Sequence, residues 1–79
     1  MTNELIKSLH TGYSRAKKSN STHYIIPASN GYSISKHLFS ILNIRIYYYI
    51  DPNGNIIKYD DGENFNIGSI DFLNVSAYI

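Results

Sequence analysis

The sequence predicts a small α+β domain: an antiparallel sheet of four to five strands with two helices, over about residues 3–18 and 35–43, packed on one face. Three observations carry this expectation. An apolar stripe at helical spacing opens the chain. Residues 44–50 form its densest run of branched and aromatic side chains, which suit a pleated, half-buried surface. Asn30-Gly31 and Asn53-Gly54 then punctuate the strand-like runs as hairpin turns. At 79 residues the chain reads as one domain spanning 1–79.

The first helix is capped by Asn3 or Thr2 and carries Glu4 in its first turn. Leu5, Ile6, Leu9, Tyr13 and Ala16 recur along one stripe. Arg15, Lys17 and Lys18 fall in the last turn, where cations suit the helix dipole. Gly12 costs such a helix about 1 kcal/mol relative to alanine, yet the stripe stays in phase through it. Ser19-Asn20-Ser21 ends the helix. Residues 22–27 read as a short strand in which Tyr24 and Ile26 alternate with His23 and Ile25, and Pro27 marks an edge or the strand's end. Beyond the Asn30-Gly31 turn comes Tyr32-Ser33-Ile34. Leu38, Phe39, Ile41 and Leu42 then fit a second helix, with Ser35 as N-cap, Asn43 as stop, and Ile34 and Phe39 as a hydrophobic staple.

The central hairpin joins Ile44-Arg45-Ile46-Tyr47-Tyr48-Tyr49-Ile50 to Ile56-Ile57-Lys58-Tyr59 through Asp51-Pro52-Asn53-Gly54-Asn55. Two registers compete. A two-residue Asn53-Gly54 loop would pair Ile50 with Ile57 and Tyr48 with Tyr59, at the cost of the closing bond that Pro52 cannot donate. A type I turn on Pro52-Asn53, with Gly54 as a left-handed bulge, would instead set Ile57 and Tyr59 beside Tyr47 and Tyr49. A lost hydrogen bond is worth roughly 1 kcal/mol. Taking two large side chains out of a core costs about 1.5–3 kcal/mol each. That weighing prefers the first register, with Tyr47, Tyr49, Lys58 and Asp60 on the outer face. Residues 60–64 read as a loop, Phe65 and Ile67 alternate beyond it, and residues 70–79 read as a further strand.

Apolar residues make up 43% of the chain, enough for one compact core, and there are no cysteines, which removes disulfides and thiolate metal sites. No signal-like or membrane-length apolar run is present, so a cytoplasmic location is expected. The net charge of +1 conceals a split. Residues 1–50 carry six lysines and arginines against Glu4, and residues 51–79 carry Lys58 against five acids. If folding preserves that split, the molecule has a basic end and an acidic end.

Catalytic and metal chemistry find little support. His10, His23 and His37 lack the i, i+4 spacing of a helical zinc site and read as ordinary, partly exposed histidines. Asp51, Asn53 and Asn55 open like a calcium loop, but Ile56 stands where such a loop needs glycine and Gly62 where it needs glutamate. The serines lack a nucleophile elbow or a nominated partner. No cofactor, metal or catalytic residue is therefore expected, and the chain reads as non-enzymatic. Eight tyrosines, three of them consecutive, are the distinctive feature. Tyrosine gives a large, rigid contact with a polar handle and is enriched at protein interfaces. The expected partner-binding set is Tyr47, Tyr49, Lys58, Asp60, Asp61 and Glu63, facing a protein. The alternative is a nucleic-acid interface of Arg15, Lys17, Lys18 and Lys36, and a second alternative is a homodimeric structural accessory protein.

Tyr48-Tyr49-Ile50-Asp51-Pro52-Asn53-Gly54-Asn55-Ile56 resembles one hairpin of choline- and cell-wall-binding repeats, over about nine residues and without the repeat. In general character the chain is similar to small phage proteins that block host defence, such as anti-CRISPR inhibitors. The resulting expectation is an inhibitor, encoded by a phage or mobile element, of a bacterial nuclease or defence complex.

Overall fold

The computed structural model describes residues 1–38 and 44–73. One helix, α1 (Asn3–Ser19), precedes β1 (His23–Ala28), β2 (Gly31–Ser35), β3 (Ile46–Ile50), β4 (Asn55–Asp60) and β5 (Glu63–Ser69). A single 3-10 turn, Ile70–Phe72, follows. The strands form one five-stranded antiparallel sheet in the order β2-β1-β3-β4-β5. The α+β class and the sheet are as expected, but the described residues hold one α-helix rather than two. Ser35 closes β2 instead of capping a helix, residues 36–38 are non-helical, and 39–43 lie outside the described residues. The strand expected over 70–79 is also corrected: Ile70–Phe72 make the 3-10 turn, and 74–79 lie outside the described residues.

α1 starts where Thr2 accepts a hydrogen bond from the Leu5 N–H at 3.2 Å, and it ends on Asn20 in the left-handed conformation. Its buried stripe of Leu5, Leu9 and Ala16 includes Gly12. A side-chain carbon at Gly12 would lie 2.9 Å from Ile25 and 3.3 Å from Ile50. The helix therefore gives up local propensity in order to lie close on β1 and β3. Leu5, Leu9, Ile25, Ile50, Ile56 and Ile70 form the core, with Tyr13, Tyr32, Ile34 and Tyr48 packed against it. α1 lies mainly over β1, β2 and β3; Ile56 at the start of β4 still joins this core, while the far end of β4 and β5 lie outside it. Pro27 sits inside β1 on its β2-paired stretch, where the pairing with β3 has already ended at Ile25.

The central hairpin takes the second register. Ile50 faces Ile56, Tyr49 faces Ile57 and Tyr47 faces Tyr59. Gly54 has φ 87° and donates its N–H to the Asp51 carbonyl at 3.0 Å, the geometry of a type I turn with a glycine bulge. Two facts overturn the preferred register. The Asp51 carboxylate accepts the N–H groups of Asn53 and Asn55 and the side-chain amide of Asn55, each at 2.9 Å, and so fastens this turn. In addition, the face opposite α1 is no loss for Ile57 and Tyr59, because they join an aromatic cluster there instead of facing open water.

Residues 60–64 are not a loop. Asp61 and Gly62, at φ 47° and 93°, form a two-residue turn between the paired Asp60 and Glu63.

Candidate functional site

Cross-strand pairing assigns each expected site residue to a face. Tyr24, Tyr47, Tyr49 and Tyr59 share the face opposite α1. Tyr47 and Tyr59 stack with ring centroids 4.6 Å apart, and Tyr24 contacts both Tyr47 and Tyr49 at 6.2 and 5.6 Å. Tyr47, at the centre, is only 7% exposed. Burial pushes its hydroxyl above the ordinary 10.0, and the neighbouring Tyr59, Tyr49 and Tyr24 add to the rise. Tyr49 is half-buried and donates its hydroxyl to Asn64 at 3.0 Å. Of these two residues, Tyr47 holds the cluster together and Tyr49 retains an accessible part.

Lys58 and Asp60 lie on the other face, opposite Tyr48 and Ile46, because the register slipped by one from the preferred reading. The Lys58 ammonium sits 3.8 Å from the Asp60 carboxylate, with both side chains partly exposed. Such a pair adds little stability and stays available to a partner. Phe65 is paired across from Lys58, and Glu63 across from Asp60. Asp61 and Glu63 are exposed at the β4–β5 turn. The structure therefore brings Lys58, Asp60, Asp61 and Glu63 to one end of β4 and β5, and places the two tyrosines behind them on the opposite face.

This end of the sheet lies beyond α1, and it exposes Ile46 by 41% and Phe65 by 45%. Neither was among the expected site residues. The sequence carries no direct signal for them: a helix about 10–12 Å wide shields only some of five strands spaced about 4.8 Å apart, and packing decides which are left bare.

The charge split survives folding. Arg15, Lys17 and Lys18 are exposed at the end of α1, and Lys36 follows β2, whose last residue pairs with Tyr24 at the start of β1. All four therefore stand at one end of the molecule, together with Asp51 and with Asp71, which follows the strand end paired with Asn55. Lys17 lies 4.8 Å from the centre of the Tyr13 ring. Glu4, beside Gly31, shares the other end with Asp60, Asp61, Glu63 and Arg45.

The histidines are spoken for. His10 bonds the Leu73 carbonyl at 2.7 Å, buried His23 bonds the Ser21 carbonyl at 3.1 Å, and no group of metal-ligating side chains assembles among the described residues. Partial burial raises the Asp51 carboxyl, but the side-chain amide of Asn55 and the backbone N–H groups of Asn55, Asn53 and Gly54 outweigh it and hold the group below 3.8. That environment belongs to a turn, with its oxygens turned to the chain's own donors.

Among the described residues no helix is long and apolar enough to cross a membrane. The fold and this surface define a small α+β domain with a half-covered sheet and separated charges. Comparison with protein families, with curated proteins and with solved structures returns no match.

Proposed function

We propose that this chain acts by binding another protein, without catalysis, through the acidic end of β3, β4 and β5. Its most concrete form is an inhibitor, encoded by a phage or mobile element and working in the host cytoplasm, of a bacterial nuclease or defence complex. The observation that supports the reading is the patch beyond α1, where exposed Ile46 and Phe65 flank the Lys58–Asp60 pair and lead to Asp61 and Glu63. An apolar centre with an acidic rim fits a partner surface whose own rim is basic, as on a protein that handles nucleic acid. Tyr49 borders this surface from behind, and Tyr47 stiffens the strands beneath it.

The test is affinity capture from a bacterial lysate with two baits, the wild type and an Asp61→Lys, Ile46→Asp double variant. The reading expects a partner retained by the wild type and lost by the variant at unchanged melting temperature. Identical sets of proteins on both baits would sink it.

A second reading, nucleic-acid binding, is favoured by one observation: Arg15, Lys17, Lys18 and Lys36 are gathered at one end. Titration with a labelled oligonucleotide at two salt concentrations separates the readings. A nucleic-acid binder loses affinity steeply with salt, whereas the protein-binding reading expects no appreciable affinity at physiological salt.

A further inference from the structure

β5 ends the sheet, and among the described residues only a bulge at Ile67 interrupts its free side. Proteins usually blunt such an edge with lysine, proline, a bulge, a short strand or a covering segment, because its unpaired N–H and C=O groups otherwise recruit another strand. β5 is seven residues long and contains neither lysine nor proline. Residues 63–68 are all exposed, Phe65 by 45% and Ile67 by 37%. Its bulge lies opposite Ile56 and Ile57, which leaves Glu63 to Asn66 as a regularly paired stretch. The other edge, β2, is shorter, and none of its residues but Ser33 is fully exposed.

The direction of the free backbone groups follows from the turn. Asp61 and Gly62 both have positive φ, so Asp60 and Glu63 close a two-residue hairpin as a hydrogen-bonded pair. Alternation then points the Phe65 backbone groups toward β4 and those of Asn64 and Asn66 outward.

We propose that β5 pairs with β5 of a second copy of this chain, antiparallel about Phe65, to join the two sheets into one. In that register Asn64 of each copy exchanges backbone hydrogen bonds with Asn66 of the other. The two Phe65 side chains meet as a non-hydrogen-bonded pair, the arrangement in which cross-strand side chains come closest. Glu63 falls toward the partner copy's bulged Ile67, and Asp61 stands in the turn beyond the paired stretch, so no acid faces an acid. The strand thus sets its apolar centre against its own with the acids kept apart, which favours a second copy over an unrelated strand. A two-fold axis makes the contact closed, so pairing stops at two. The proposal shares Phe65 and Glu63 with the partner-binding reading but rests on the backbone edge of β5 rather than on that face, so Asn66→Pro tests the edge alone while the Asp61→Lys, Ile46→Asp variant tests the face.

Phe65 lies across from Lys58 within one chain, so Phe65→Glu has a favourable neighbour in the monomer and a repelling one in the dimer. The experiment is sedimentation equilibrium of the wild type, Phe65→Glu, Phe65→Lys and an equal mixture of the two variants, with far-UV circular dichroism to confirm folding. The expected result is a wild-type dimer and two monomeric variants, with heterodimer restored on mixing. Asn66→Pro, which removes an outward N–H, is expected to weaken self-pairing by about tenfold or more, and it serves if a charged variant fails to fold. A wild type that stays monomeric at roughly 1 mM overturns the proposal. So does a dimer that survives Phe65→Glu or Asn66→Pro, or a β5 edge that takes up an unrelated strand-forming peptide in preference to a second copy.

Discussion

The part of the sheet under α1 and the part beyond it are built from similar side chains and meet opposite fates. Ile25 and Ile50 are fully buried beneath the helix, while Phe65 and Ile67 on β5 are 45% and 37% exposed. Strand pattern separates them only in part: β5 alternates polar and apolar residues, whereas β1 and β3 carry apolar or aromatic residues on both faces. What separates them is the reach of the one helix. Gly12 draws α1 down onto β1 and β3, the core still takes in Ile56 at the start of β4, and the far end of β4 and β5 lie beyond it. In a domain this small, burial is set by where the covering layer runs out, and the remainder of the face stays exposed.

Truncation sharpens the contrast most. Leu9→Ala, in the sealed core, is expected to cost about 2–5 kcal/mol, measured by denaturant unfolding. Next comes Gly54→Ala, which combines positive φ with a new carbon 2.7 Å from Ile70. A loss of about 1–3 kcal/mol is expected, and a neutral result would break the account of the central turn. The carboxylate that fastens that turn gives a smaller, pH-dependent effect. Its pKa is depressed in the folded state, so its contribution is present above the ordinary 3.8 and is lost as pH falls through the lower folded value. Asp51→Asn should flatten the acid limb of a stability–pH curve. Tyr47 works in the other direction: its raised pKa supplies stability below 10.0 that is lost as pH climbs through the folded value, a loss that Tyr47→Phe should abolish. Smallest of all, Phe65→Ala beyond the helix is expected to change monomer stability by no more than about 0.5 kcal/mol. A loss of the size expected for Leu9 would show that the open half is sealed after all.

Much of the fold was readable before any coordinates. The cap at Thr2, the stripe through Leu5 and Leu9, the β1 and β2 strands and the position of the central turn follow from periodicity and turn chemistry. The register did not follow, for a physical reason. The weighing of one hydrogen bond against two buried side chains assumed that the second face was wet, and it ignored the Asp51 carboxylate. Both assumptions concern neighbours distant in sequence or a side chain acting on backbone, which alternation cannot express. The Asp61-Gly62 turn was legible in principle, because that pair is a strong two-residue hairpin signal, although the acids around it suit a solvated loop equally well. The candidate surface was half legible. Lys58, Asp60, Asp61 and Glu63 do gather, but Tyr47 and Tyr49 belong to the opposite face once the register shifts. Ile46 and Phe65 could not be nominated without knowing which strands the helix leaves bare.

Because four of its seven cations collect where α1 finishes and four of its six acids where α1 begins, the folded chain has a permanent electric moment despite a net charge of only +1. A molecule of this kind is turned before it lands. In the field of a cationic surface it swings its carboxylate pole forward, so the fraction of productive collisions rises without any new contact being made. Added salt should therefore slow its arrival at such a surface while leaving its departure nearly untouched.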